Sequence, residues 1–156
     1  MPPLKPLLRS LVPHRLAAVV RRLGVPAYRG EQIRHWVYDR DALQWGDLHN
    51  VPRSLRDRLA AEYDLCGLQP VERQVATDGT RKFLFRLRDD QTVEAVIIPM
   101  ARHLTFCISS QVGCAMACRF CATARGGLVR DLQAGEILEQ ILHLKRDVAA
   151  EPVGDI

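Results

Sequence analysis

Leu104-Thr-Phe-Cys107-Ile-Ser-Ser-Gln-Val-Gly-Cys114-Ala-Met-Ala-Cys118-Arg-Phe-Cys121 governs how this chain of 156 residues is read. Residues 104–109 read as a strand. They lead into a loop whose three cysteines are spaced C-x3-C-x2-C. Residues 133–147 then carry an apolar helical face of Ile137, Leu138, Ile141, Leu142 and Leu144. Strand, cysteine loop and helix make one βα step. Thiolates from Cys114, Cys118 and Cys121 can hold three irons of a cubane cluster and leave the fourth without a protein ligand. A cluster with four cysteine ligands is closed and passes electrons. An open iron can bind a substrate or cofactor, as a catalytic metal site keeps one position free. A structural zinc site is the competing reading. Zinc prefers four ligands in two short pairs, so Cys107 or one of the five histidines would have to complete it. An odd five cysteines make a poor disulfide framework.

Outward from the loop, composition sets the class. Hydrophobic residues make up 47% of the chain, enough for a packed core, and charged residues 26%. No apolar run approaches the ~18 residues of a membrane span. The start, Met1-Pro-Pro-Leu-Lys-Pro, is too broken by proline for a signal peptide. A cytoplasmic protein with reduced thiols and no membrane partner is expected. The net charge of +4 is uneven: residues 1–60 hold eleven Lys and Arg against five Asp and Glu. A basic first third points to a polyanion partner, with a solvated helical surface as the plainer alternative.

Three regions follow from the periodicity. Residues 1–67 read as a small helical accessory domain, whose basic excess suits a nucleic acid. Its helices span 14–23, about 30–40 with Ile33, Trp36, Val37 and Tyr38 inward, and 54–63 with Ser54 as N-cap. Residues 68–100 read as an antiparallel β-meander with strands at 71–77, 81–88 and 92–99. Asp78-Gly79 and Asp89-Asp90 lie at its turns. The strand Val93-Glu94-Ala95-Val96-Ile97-Ile98 is almost wholly apolar and is expected to be buried. Residues 101–156 read as the start of a larger domain. The fold class is therefore α+β passing to α/β: helical domain, meander, then one βα unit of a truncated partial barrel. A parallel sheet needs several such units, so a C-terminally truncated form, inactive alone, is expected.

The C-x3-C-x2-C spacing, with Phe120 before its last cysteine, resembles the radical S-adenosylmethionine enzymes. Six further stretches resemble one family among them, the RlmN/Cfr RNA methyltransferases. These are Tyr28-Arg-Gly-Glu-Gln-Ile33, Asp78-Gly-Thr-Arg-Lys-Phe-Leu-Phe85, Val93-Glu-Ala-Val-Ile-Ile-Pro99, Cys107-Ile-Ser-Ser-Gln-Val-Gly-Cys114, Cys121-Ala-Thr123 and Leu132-Gln-Ala-Gly-Glu-Ile137. Arg130-Asp131-Leu132 departs mildly from the family's RNL, and Glu151-Pro152 lacks the glycine of its GEP segment.

The resemblance implies an enzyme that methylates C2 of adenosine in ribosomal RNA and transfer RNA. Its cofactors would be a [4Fe-4S] cluster on Cys114, Cys118 and Cys121 and S-adenosylmethionine, with Phe120 bordering the adenine. Glu94 would accept the C2 proton. Cys107 would be the thiol that resolves a covalent protein–RNA intermediate by forming a disulfide, with a methyl-carrying cysteine expected beyond Ile156. A reductase or flavodoxin-type electron donor and a monomer are implied. Cys66 matches no role and is taken as structural. Adenine-C8 methylation, as in Cfr, stays open, as does an RNA-binding or zinc module without catalysis.

Overall fold

A computed structural model describes residues 4–116 and 118–152. The chain falls into two units, Met1–Gly67 and Leu68–Ile156. Among the described residues no helix is long and apolar enough to cross a membrane.

The first unit is built on helices α1 (Pro13–Arg22), α2 (Tyr28–Arg34) and α3 (Arg53–Glu62). Pro13 opens α1 where an amide has no helical partner, and Arg21 and Arg22 close it at the negative end of the dipole. Leu16, Val20, Ile33, Val37, Leu55 and Leu59 form the core. Gly30 brings α2 close to α1: a Cβ there would already touch Val20 at 3.6 Å. The expected second helix, about 30–40, instead starts at Tyr28 and changes after Arg34 to a π-helical turn, His35–Asp39. Its inward residues are as expected, with Ile33 and Val37 buried and Trp36 and Tyr38 packed against the core. Ser54 is not the N-cap of α3. Pro52 takes that place, without a side-chain cap bond, and Ser54 lies inside the helix. Pro52 fixes an extended entry, so the helix starts one residue earlier.

The basic excess of this unit is largely engaged internally. Arg9 is buried, at 3% exposed, and donates to the carbonyls of Val37 at 2.6 Å and of Ala42. Arg22 pairs with Glu62, Arg34 with Glu31 and Asp39, and Arg53 with Asp57. Arg29, Arg56 and Arg58 donate to backbone carbonyls of Asn50, Trp45 and Leu23. Arg15 and Arg21 stand exposed on α1.

The second unit carries the antiparallel meander: β1 (Leu68–Val75), β2 (Arg81–Leu87), β3 (Thr92–Pro99) and β4 (Leu104–Cys107), in that spatial order. Gly79 and Asp90 make the turns with φ of 81° and 61°. A division after residue 100 is the sequence expectation; in the structure β3 and β4, on either side of it, are hydrogen-bonded antiparallel neighbours. Helix α4 (Ala134–Ala150) covers one face of this sheet. Phe83, Phe85, Val93, Ala95 and Ile97 of the sheet form one core cluster with Leu144 of the helix. The strand expected to be buried throughout is therefore buried on one face only. Glu94 is exposed and Val96 half-buried, because a single helix covers a single face.

The face of α4 also differs from its apolar reading. Leu138 is 38% exposed, while Glu136, Glu139 and Gln140 are buried. Each of the three meets backbone or charge that an apolar side chain would leave unsatisfied. Glu139 accepts the amide of Leu68 at 2.9 Å. Near the C-terminal end of α4, Asp147 takes Arg73 at 2.7 Å and Arg81 at 2.6 Å, which ties the helix to β1 and β2.

Between β4 and α4 lies a ribbon that the periodicity did not announce: β5 (Gln111–Gly113) paired antiparallel with β6 (Leu128–Asp131). The cysteine loop is the excursion between these two strands.

Candidate functional site

The cysteine loop closes on itself by backbone contacts. The amide of Cys114 donates to the carbonyl of Gly127 at 3.0 Å. Gly113 has φ of +74°, and a Cβ there would stand 1.9 Å from the Gly127 oxygen. Only glycine fits a left-handed residue pressed against a facing carbonyl. Inside the loop the amide of Cys121 donates to the carbonyl of Cys118 at 3.1 Å. A short 3-10 turn, Thr123–Gly126, leads back to β6.

Cys114, Cys118 and Cys121 are free and half-buried. The amides of Ala124 and Thr123, and the Thr123 hydroxyl, hold the Cys121 thiol below its ordinary range. This donor set fits an iron–sulfur cluster: three free thiols on one short loop, one biased to the thiolate that iron requires. Among the described residues no three His, Cys, Asp or Glu side chains are gathered about a point that would hold a single ion. A cubane asks each thiolate to reach a different iron, so its ligands stand further apart than those of one ion. Phe120, on the same loop, is 90% exposed.

Glu94 projects from β3 on the sheet face away from α4. Its carboxylate meets the Lys82 ammonium at 3.1 Å, and its carbonyl accepts the Ser109 hydroxyl at 2.7 Å. Cys107 is an exposed free thiol on the adjacent strand, opposite Val96. Cross-strand partners share a face, so Cys107, Val96 and Glu94 lie on the same side of the sheet. All five cysteines are free, so the disulfide implied for Cys107 is not present. The resemblance sets its partner thiol beyond Ile156. Cys66 lies half-buried in the first unit, its thiol donating to the Leu43 carbonyl at 3.0 Å.

A cavity of about 270 Å³ joins strand and loop. It is lined by Glu94, Leu84, Ser109, Gln111, and by Gly113 and Thr123 from the two ends of the cysteine loop. Glu94 and the loop are thus brought together, while Cys107 and Phe120 are outside this lining. Sequence reading missed the groups that hold the loop in place: Ser109, Arg130, Glu136 and Gln140. Ser109 and Glu136 fall in stretches quoted for the family resemblance, which was a usable signal. Gln140 had only its spacing of four residues from Glu136.

Residues 8–65 match the family model "Ribosomal RNA large subunit methyltransferase N-terminal domain". The chain is similar to the dual-specificity RNA methyltransferase RlmN of Sulfurovum sp. (strain NBC37-1), 41% identical over 94% of this chain and 44% of the relative. A probable RlmN from Microcystis aeruginosa is 44% identical over 82% of this chain and 38% of its own length. Among solved structures, a radical SAM methyltransferase from Sphaerobacter thermophilus matches with a TM-score of 0.86 and 38% identity, over 93% of this chain and 43% of that one. Fold, cysteine loop and these likenesses place the chain in the class of radical SAM methyltransferases. Within that class it belongs to the RlmN family, and it spans about 44% of the length of the Sulfurovum relative.

Proposed function

We propose that this chain is the part of an RNA (adenine-C2)-methyltransferase that supplies the cluster loop and the proton-accepting base. The observation that supports the reading is the cavity shared by Glu94 and both ends of the cysteine loop. Cys114, Cys118 and Cys121 would hold a [4Fe-4S] cluster with one open iron. A cluster held by these three thiolates would supply one-electron reduction for cleavage of the sulfonium carbon–sulfur bond of S-adenosylmethionine. Phe120, at the loop tip, would border the adenine of that cofactor.

C2 of adenine is an electrophilic amidine carbon, so methylation has to remove the C2 proton after carbon is added. Glu94 is the group to take it: a carboxylate on a rigid strand, open to the cavity. Cys107, as its thiolate, would then attack the sulfur that carries the RNA-bound carbon: a disulfide forms as the sulfur–carbon bond breaks, and the released carbon keeps that electron pair and takes up a proton to become the methyl group. Its exposure on the same sheet face as Glu94 suits that task. Ribosomal and transfer RNA would be the substrates, with a reductase or flavodoxin-type protein as electron donor. The protein would work as a monomer in the cytoplasm, where its thiols stay reduced. Turnover would require the remaining length found in the relatives.

Two measurements test the reading. Anaerobic reconstitution of the chain should give iron and sulfide; stable zinc in their place would reject the cluster. With the chain continued to the length of its relatives, digested product RNA should contain 2-methyladenosine. 8-Methyladenosine would move the reaction to the other ring.

A further inference from the structure

Glu136 and Gln140 lie one turn apart on α4, and they are 1% and 0% exposed. They face opposite arms of the cysteine loop. On the outgoing arm, Gln140 grips the backbone of Ser109 both ways: the Ser109 amide donates to Oε1 at 2.8 Å, and Nε2 donates to the Ser109 carbonyl at 2.9 Å. Ser109 in turn donates its hydroxyl to the Glu94 carbonyl at 2.7 Å. On the return arm, the Arg130 guanidinium gives Glu136 two parallel hydrogen bonds, both 2.9 Å, and gives Asp89 a third at 2.7 Å. Glu136 also accepts the amide of Gln133 at 2.7 Å, so the first turn of α4 fixes its carboxylate.

Burial alone does not call for such groups. Filling space needs no polar group, and a buried ion pair is a weak source of stability in itself. What paired, two-bonded polar groups add is position, since each bond has one geometry.

We propose that Glu136 and Gln140 form a two-point clamp that sets the mouth of the cysteine loop. They are positioning residues: Gln140 fixes the link between β4 and β5 at Ser109 and, through the Ser109 hydroxyl, the strand of Glu94, while Glu136 fixes β6 through Arg130. One helix face thereby sets the spacing between the candidate ligands and the candidate base. The link to chemistry rests on the cluster reading above; the clamp itself is a property of the chain without metal.

Hydrogen–deuterium exchange on the metal-free chain of 156 residues tests it, comparing the parent with Gln140→Leu, Arg130→Met and Arg130→Lys. In Gln140→Leu and Arg130→Met, amides of residues 108–114 and 127–132 should exchange faster by about tenfold or more, with β2 and the helices of the first unit unchanged. Arg130→Lys keeps the charge beside Glu136 but not the fork, and should fall between parent and Arg130→Met. Unchanged arms would overturn the clamp. So would acceleration spread evenly over residues 68–152, which is plain destabilisation. If Gln140→Leu does not fold, Arg130→Lys and Glu136→Gln carry the same comparison. Iron is read separately: variants of an iron-binding parent should lose iron to a chelator several-fold faster than the parent does. A parent that takes zinc or no metal defeats the cluster reading, while the exchange pattern still decides the clamp.

Discussion

The carboxylate of Glu94 and the ammonium of Lys82 meet at 3.1 Å on the open face of the sheet, with side chains 54% and 43% exposed. An exposed pair of this kind contributes roughly 0–1 kcal/mol, so the fold does not depend on it. Lys82→Met and Glu94→Gln should each change the unfolding free energy in urea by less than about 1 kcal/mol. In the chain continued to the length of its relatives, Glu94→Gln should slow formation of 2-methyladenosine by about 100-fold or more, the usual size of a general-base contribution. Product formation at the parent rate would remove Glu94 from that role.

The four loop and strand thiols should separate under substitution. Cys114→Ala, Cys118→Ala and Cys121→Ala should each abolish iron uptake in anaerobic reconstitution, and Cys107→Ala should leave it intact. Cys121 should also be alkylated by iodoacetamide at a pH below the ordinary thiol range, since backbone amides and Thr123 favour its thiolate. Thr123→Val removes the hydroxyl but not the amides, so the pH midpoint of alkylation should rise part of the way. Peptide mass spectrometry reads both results.

Acid should loosen the second unit through Asp89. Hydrogen bonding to Arg130 holds its carboxyl below the usual range. A folded value below the unfolded one means the contribution is complete above the unfolded pKa, about 4, and is lost as pH falls through the folded value. The urea midpoint should therefore decline below about pH 4. Asp89→Asn should be less stable than the parent at pH 6 and show a shallower decline. Equal slopes would show that the pair has no linkage to folding.

Truncation beneath α4 should cost far more than truncation on its outer face. Phe85 is fully buried beneath the helix, stacked on Phe83 with ring centroids 6.0 Å apart. Phe85→Ala should cost about 3–5 kcal/mol in urea unfolding. Leu138→Ala, at a position with 38% exposure, should cost less than about 1 kcal/mol.

Two arginines of the first unit should part in the same manner. Arg9→Met strands the carbonyls of Val37 and Ala42 and should destabilise that unit by about 1–3 kcal/mol. Arg21→Ala, on the exposed face of α1, should leave stability unchanged. If that face contacts RNA, transfer-RNA binding should weaken and its salt slope fall by about one. A transfer-RNA slope unchanged in Arg21→Ala would take α1 out of the interface.

By itself the sequence determined the helical unit, the meander and the loop that bears the cysteines. Alternation exposed Glu94 between Val93 and Ala95, and Gly79 and Asp90 sit at the two hairpin turns, because these are local properties of a chain with a period of two. Spacing likewise marked Cys114, Cys118 and Cys121, since one short loop carries them all. Tertiary structure alone decided what covers the sheet and what holds the loop. A strand of apolar residues can be buried on one face or both, and only the single helix α4 decides that Val96 remains half-exposed. Periodicity favours Leu138 as the inward residue, yet Glu136, Glu139 and Gln140 face inward because the amides of Leu68 and Ser109 and the Arg130 guanidinium wait there. Those partners stand between 6 and 71 residues away in the chain, beyond the reach of any local pattern. Arg9 shows the same limit: counted by sequence among surface charges, it is buried because carbonyls 28 and 33 residues further on converge upon it.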